Sequence, residues 1–171
     1  MTTAKTDLRV TADGFSFLEC PRWHEGMLWV SDIYSDRVLA IGEAGSVKTI
    51  VVVPGGPGGL GWLPDGSLIV VATRQRRIMR SGPGGLSVHA DLSNIGVVEY
   101  PLNDMWVDAD GRCYVGEFGV DIHAWINENF PRVAIEGIGG LGKIGVPEGF
   151  VFVMERDGRV SQAVQGFRFP N

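Results

Sequence analysis

Short apolar runs recur along this chain at a nearly constant spacing, and each follows a turn that contains glycine. Three segments share the design of a glycine turn, an apolar run and a polar break, at residues 25–32, 65–73 and 110–119, and a weaker copy lies at 148–158. The glycines of the strong copies are 40 and 45 residues apart, and that of the weaker copy follows 38 residues later. A period of about 40–45 residues with about four strands per unit is typical of a propeller blade. The pattern therefore predicts an all-β chain.

The strands within each unit follow from apolar runs that either alternate with polar positions or are wholly apolar. Asp-Gly pairs at 65–66, 110–111 and 157–158 predict tight hairpin turns, because glycine tolerates positive φ. The glycine-rich stretch 55–61 is predicted to be a turn between blades, and 119–143 to hold a loop or a short helix. The predicted strands are 27–31, 37–41, 47–53, 60–62, 67–72, 77–80, 87–90, 105–108, 112–117, 150–154 and 160–165.

Composition and charge narrow the class of protein. Hydrophobic residues make up 44% and charged residues 20% of the 171 residues, which predicts a packed core. The net charge of −5 argues against a nucleic-acid partner. No apolar run is long enough for a membrane span, and the amino-terminal residues lack the apolar core of a signal peptide. Cys20 and Cys113 are too few for a disulfide scaffold, so we expect free thiols in a cytoplasmic protein.

Several common catalytic designs are absent from the sequence. There is no Gly-x-Ser-x-Gly elbow of a serine hydrolase, and neither cysteine has the spacing of a metal knuckle. The three histidines, His24, His89 and His123, are far apart. The segment Asp108-Ala-Asp110-Gly begins like a calcium loop, but its glycine comes too early and no closing glutamate follows. A hairpin turn is the better interpretation there.

Three ordered segments carry a family resemblance. They read Phe17-Leu-Glu-Cys-Pro-Arg-Trp23, Asn103-Asp-Met-Trp-Val-Asp-Ala-Asp-Gly-Arg112 and Phe169-Pro-Asn171. They are similar to the Glu-x-Pro-x-Trp, Asn-Asp-x-x-Val-Asp-x-x-Gly-Arg and Pro-Asn-Gly elements of the SMP-30/gluconolactonase/luciferin-regenerating enzyme family. The resemblance extends over essentially the whole chain, which is similar to the amino-terminal half of that family.

The resemblance implies a six-bladed β-propeller, truncated here to about three blades of four-stranded antiparallel sheets. The chain would be a single partial domain, residues 1–171. Blade 1 is expected at about 22–56, blade 2 at about 57–100, blade 3 at about 101–167, and the start of blade 4 at 168–171.

The resemblance also implies a metal site and an activity, that of a metal-dependent lactone hydrolase. Glu19, Asn171 and Asn103 would bind a divalent cation, with Asn103 also the catalytic or substrate-binding group. Calcium is the first choice because it takes carboxylate and amide oxygens, with Zn²⁺, Mg²⁺ or Mn²⁺ as alternatives. The cation would polarise a lactone carbonyl. The aspartate that serves as acid or base in the family comes from a later blade, beyond Asn171.

Each of these residues also has a plainer interpretation. Glu19 could be a solvated loop residue, and Asn103 with Asp104 a turn or a strand cap. Asn171 could be a frayed chain end. A further departure from the family is Pro101-Leu102, where sugar-lactone members often place an arginine, so the sequence favours lactones in general over a gluconate-type substrate.

Other side chains receive structural predictions. Arg74, Arg76, Arg77 and Arg80 are expected to form a solvated face. His123 and Glu117 are expected at the mouth of the channel. Four tryptophans near blade starts are expected to pack between sheets, namely Trp23, Trp29, Trp62 and Trp106.

Three hypotheses follow for the function. The first is a lactonase acting on a small-molecule lactone, with part of its metal site encoded in this chain. The second is a non-catalytic half-propeller that binds a partner or self-associates through its open propeller edges. The third is a truncated or frame-shifted gene product that folds poorly.

Overall fold

Three antiparallel sheets make up nearly all of the computed structural model, which describes residues 8–96, 99–121, 124–125, 127–129, 131, 148–168 and 170. Each sheet has four strands in chain order, β1 to β4, β5 to β8 and β9 to β12. The predicted all-β fold with four-stranded antiparallel sheets is confirmed. The strands are β1 Leu18–His24, β2 Met27–Asp32, β3 Arg37–Ile41, β4 Val47–Val52, β5 Pro57–Trp62, β6 Leu68–Ala72, β7 Arg77–Gly82, β8 Gly85–Asp91, β9 Leu102–Val107, β10 Cys113–Glu117, β11 Gly149–Met154 and β12 Val160–Phe167.

The core lies between the faces of neighbouring sheets. In β6, Ile69 and Val71 belong to the apolar cluster shared with the third sheet, whereas Val70 belongs to the cluster shared with the first sheet. All five residues of β6 are buried, because both of its faces are covered. This explains a wholly apolar strand in an antiparallel sheet whose outer strand, β8, is largely exposed.

The three predicted Asp-Gly hairpin turns are confirmed. The glycines of the turns have positive φ, 82° at Gly66, 84° at Gly111 and 85° at Gly158. In each turn an aspartate side chain accepts a backbone hydrogen bond from the residue two positions ahead: Asp65 from Ser67 at 3.0 Å, Asp108 from Asp110 at 3.0 Å and Asp157 from Arg159 at 3.1 Å. These carboxylates therefore stabilise the turns, which also confirms the turn interpretation of residues 108–111.

Two inner strands differ from the sequence-based expectation. The first sheet begins with β1 at Leu18, where no strand was predicted. The stretch 55–61, predicted as a turn between blades, contains most of β5, and five of the six residues of β5 are buried. Glycine weakens the strand pattern, but here it admits close backbone packing: a Cβ on Gly59 would lie 1.9 Å from the backbone nitrogen of Met105.

The weaker fourth copy of the repeat does not begin a new sheet. Its apolar run is β11, the third strand of the third sheet, which pairs with β10 from Cys113 opposite Met154. A long connection separates β10 from β11, and the described part of it includes helical residues at 124–125, 127–129 and 131. The three sheets thus span residues 18–52, 57–91 and 102–167.

Candidate functional site

The predicted site residues lie at one common end of the three sheets. The first strand of each sheet, β1, β5 or β9, is its inner strand. In each sheet the first residue of the inner strand pairs with the last residue of the second strand: Leu18 with Asp32, Pro57 with Ala72 and Leu102 with Glu117. Glu19 and Asn103 are each the second residue of an inner strand, β1 and β9. They therefore occupy equivalent positions in the first and third sheets.

Gly58, the second residue of β5, lies between the positions of Glu19 and Asn103 and contacts the strands on both sides. Ser31, which pairs with Glu19 in the β1–β2 register, donates its hydroxyl hydrogen bond to the carbonyl of Gly58 at 2.6 Å. On the other side, a Cβ on Gly58 would lie 2.7 Å from the carbonyl oxygen of Asn103. The backbone of β5 is thus in close contact with β2 on one side and with β9 on the other.

Direct contacts also connect β1 with β9. The buried thiol of Cys20 donates a hydrogen bond to Oδ1 of Asp104, and Arg22 Nη2 donates to the carbonyl of Met105 at 2.8 Å. Burial raises the pKa of the Cys20 thiol, and the adjacent Asp104 carboxylate raises it further, so the thiol remains a donor. The residue after Glu19 therefore touches the residue after Asn103, although 84 positions separate them.

The backbone of β1 is irregular at this contact. The β1–β2 register shifts between Glu19 and Arg22, as at a β-bulge, and Cys20 has a φ of 55°. A positive φ is unfavourable for a residue with a side chain, and such conformations cluster at functional sites. A bulge re-aims the side chains beside it, which here include the half-buried Glu19.

Asn103 makes a contact with the end of the described chain. Its side-chain nitrogen donates to the carbonyl of Pro170 at 3.0 Å, and a Cβ on Gly116 would lie 2.9 Å from that same oxygen. The amide oxygen of Asn103 is the end of the group that can bind a cation. Asn171, predicted as a further ligand, lies outside the described residues.

The oxygen-bearing side chains at this end of the sheets are of the kind that binds a hard divalent cation. The Glu19 carboxylate and the Asn103 amide supply oxygen donors, which calcium prefers, although it takes about 6–8 of them. No group of three or more His, Cys, Asp or Glu side chains arranged to hold a metal occurs in the part of the chain that the structure describes. Further oxygen ligands for the cation would have to come from Asn171, from water or from residues that the structure does not describe.

The predicted solvated arginine face is wrong at one residue, Arg76. Its side chain is only 4% exposed and its Nη1 lies 2.8 Å from Oε1 of Glu117, which is fully buried. Glu117 therefore does not lie at a channel mouth, and His123 lies outside the described residues. The other three arginines form exposed pairs, Arg74 with Asp36, Arg77 with Asp91 and Arg80 with Asp65.

The tryptophan prediction is confirmed for two residues and wrong for two. Trp29 and Trp62 pack edge to face with ring centroids 5.2 Å apart, between the first and second sheets. Trp23 is 62% exposed and Trp106 is 58% exposed. These two belong to the first and third sheets, which each have one neighbouring sheet within the described chain.

Carboxylates at the site end hold the segments that lead into inner strands. Asp32 accepts backbone hydrogen bonds from Ser16 and Phe17, just before β1, both at 3.0 Å. Asp36 accepts from the backbone of Gly56, just before β5, at 2.8 Å. Neither aspartate is among the predicted site residues; the signal for them is their place at and just after the end of β2, where Asp32 is the last residue of the strand and Asp36 precedes β3.

Asp32 provides a pH-dependent prediction. Burial alone would raise its pKa, but hydrogen bonds from Ser16, Phe17 and Arg37 lower the pKa to about 2 from the ordinary 3.8. A lowered pKa stabilises the fold fully above about pH 4, and this contribution is lost as the pH falls towards 2. We expect Asp32→Asn to cost about 2 kcal/mol at pH 7 and less at pH 3, as measured by urea unfolding. The exposed Asp13→Asn is the control, and a cost for Asp32→Asn that does not change with pH would contradict this assignment.

Both cysteines are free, as predicted, and both are buried. Within the described residues, no helix has the length and apolar character needed to cross a membrane.

Comparison with known protein families shows one match that covers most of the chain. The model of the SMP-30/gluconolactonase/LRE-like region matches residues 17–171. No curated protein shows a significant match.

The fold is shared with solved structures of low sequence identity. A candidate gluconolactonase is 22% identical with a TM-score of 0.65, covering 95% of this chain and 53% of its own. A gluconolactonase from Xanthomonas campestris is 21% identical with a TM-score of 0.62, covering 89% and 48%. A calcium-binding regucalcin from Agrobacterium tumefaciens is 15% identical with a TM-score of 0.60, covering 92% and 49%. This chain therefore spans about half the length of each.

Proposed function

Because this chain belongs to the SMP-30/gluconolactonase/LRE-like family, we propose that it forms part of a divalent-metal-dependent hydrolase of small-molecule lactones. The observation that carries the proposal is the contact between Cys20 and Asp104. That contact brings together the strand ends that carry Glu19 and Asn103. A cytoplasmic location is part of the proposal, since both cysteines are free thiols.

In this proposal Glu19 and Asn103 hold the cation through a carboxylate and an amide oxygen, with Asn171 as a further ligand. Calcium is the proposed ion, with Zn²⁺, Mg²⁺ and Mn²⁺ as alternatives, and the related regucalcin is described as calcium-binding. When bound, the cation would polarise the lactone carbonyl and stabilise the oxyanion formed when water attacks.

The other residues of this end orient the two ligands. The Asp104 carboxylate accepts a hydrogen bond from the Cys20 thiol, so we assign Asp104 to holding β9 against β1 instead of to general-base catalysis. Arg22, which donates to the Met105 carbonyl, supports the same approach of the two strands. The general base is proposed to come from blades outside this chain, as the resemblance implies.

Chelation tests the proposed activity. Lactone hydrolysis by the purified protein is expected to stop after treatment with EDTA and to return on addition of calcium, followed by acid release at constant pH. Turnover that survives chelation would contradict metal dependence. Absence of turnover in the untreated protein, and in any longer protein that contains this chain, would contradict the hydrolase itself.

A second candidate is self-association, and the distribution of exposed apolar side chains favours it. The middle sheet exposes one large hydrophobic residue, Val88, among the described residues. The first and third sheets expose Leu18, Trp23, Val47, Val52, Trp106, Val164 and Phe167. A groove of about 570 Å³ beside Trp23 and Leu18 lies on the first sheet. Such faces bind other sheets, and a concentration-dependent dimer without turnover in the chelation experiment would favour this candidate.

A further inference from the structure

The buried side chain of Arg76 connects the second sheet with the third. It lies in the turn between β6 and β7, with a φ of 53°. Its guanidinium pairs with Glu117 at the end of β10, 2.8 Å away. The same guanidinium donates to three backbone carbonyls between β8 and β9, those of Leu92 at 3.3 Å, Ile95 at 2.5 Å and Tyr100.

These carbonyls belong to the connection that leads into β9. Its described residues are 92–96 and 99–101, and Asn103 follows two positions later. Gly96 packs directly on the ion pair, since a Cβ there would lie 2.9 Å from Oε1 of Glu117 and 3.3 Å from Nη2 of Arg76. The connection therefore rests against the pair with no room for a side chain at this point.

Two backbone hydrogen bonds extend this support to the residues next to Asn103. The amide of Leu102 donates to the carbonyl of Thr73, in the same turn as Arg76, at 3.2 Å. The amide of Phe118, next to Glu117, donates to the carbonyl of Pro101 at 3.1 Å. Pro101 and Leu102 are thus held by Thr73 and Phe118, which lie in the two segments that contain Arg76 and Glu117.

We propose that Arg76 and Glu117 are positioning residues that set the start of β9 and so the place of Asn103 in the site. This inference rests on the proposed function for the role of Asn103. A buried ion pair adds little stability compared with apolar residues of similar size. Its directional bonds fix the connection, because a planar guanidinium presents five donors in one fixed arrangement.

Hydrogen exchange tests the positioning without any assay of activity. In Arg76→Met, we expect the amides of Leu102 and Phe118 to exchange at least roughly tenfold faster than in the wild type. The amides of Ile69 and Val70 in β6 should change much less. Arg77→Met is the matched control, since Arg77 is adjacent in sequence but forms an exposed pair with Asp91.

A second pair of variants separates positioning from stability. Glu117→Gln keeps the size of the side chain and serves if Arg76→Met does not fold. The double variant Arg76→Met with Glu117→Leu removes both charges and should recover stability in urea. Fast exchange at Leu102 should persist in it, and calcium affinity should stay roughly 10- to 100-fold below the wild type.

The outcomes are distinct. Faster exchange confined to Leu102 and Phe118, with weaker calcium binding, supports the proposal. The proposal is overturned if the amides of Leu102 and Phe118 exchange no faster in Arg76→Met than in Arg77→Met. It is also overturned if exchange in Arg76→Met is faster by the same factor in all three sheets. If the wild type binds no calcium and hydrolyses no lactone, the proposed function fails, while the exchange measurement still decides whether the pair holds the start of β9.

Discussion

Replacing Gly59 by alanine is expected to destabilise the fold by about 3 kcal/mol or more, at the upper end of the cost of overpacking a core. The added Cβ would lie 1.9 Å from the backbone nitrogen of Met105 and 2.6 Å from the carbonyl carbon of Asp104. Both are backbone atoms, so no side-chain rotation relieves the clash. The midpoint of urea unfolding measures the effect.

Gly82→Ala is the matched control for this prediction. Gly82 also lies in a strand, at the end of β7, but a Cβ there meets no atom within 4 Å. Its substitution should leave stability unchanged or raise it slightly by restricting the unfolded chain. Equal unfolding midpoints for the two variants would show that β5 and β9 are not packed backbone to backbone.

The second large effect is expected at Glu19. Glu19→Gln keeps the shape of the side chain and removes its charge, so the proposed cation loses its carboxylate ligand. We expect kcat/KM for metal-dependent lactone hydrolysis to fall about 100-fold or more, since even the loss of an outer partner of a metal ligand costs about 10- to 100-fold. Stability in urea should change little, because Glu19 is only half-buried.

Glu25→Gln provides the comparison for that variant. Glu25 lies in the turn that follows β1, and its side chain is 80% exposed. Its substitution should leave turnover unchanged. Equal activities for Glu19→Gln and Glu25→Gln would exclude Glu19 as a metal ligand.

The repeated units were predictable from sequence because their strands follow strong local rules. Residues 68–72 are wholly apolar and the Asp65-Gly66 pair before them imposes a turn, so β6 and the hairpin that precedes it are predicted correctly. Only residues 60–62 of the inner strand β5 are predicted as strand, because the glycines before them resemble a turn until the neighbouring backbone of Met105 is known. Local pattern cannot show a contact with a strand about 45 residues away.

The site was predictable only in part, for a similar reason. The family resemblance predicts Glu19 and Asn103 as ligands, a role that stays a proposal, and both occupy equivalent positions of inner strands. Nothing in the local sequence distinguishes the buried Arg76 from the exposed Arg77, because burial depends on Glu117, 41 positions later. The contact of Cys20 with Asp104 likewise depends on the packing of three sheets.

If β1 and β9 bring Glu19 and Asn103 to one cation, as proposed, a double-mutant cycle on calcium affinity shows it most directly. Calorimetric titration would compare the wild type, Glu19→Gln, Asn103→Ala and the double variant. If both residues bind one ion, the losses are strongly non-additive, and the double variant binds little worse than the weaker single variant. Losses that simply add, or a wild type that takes up no divalent cation, would contradict the account.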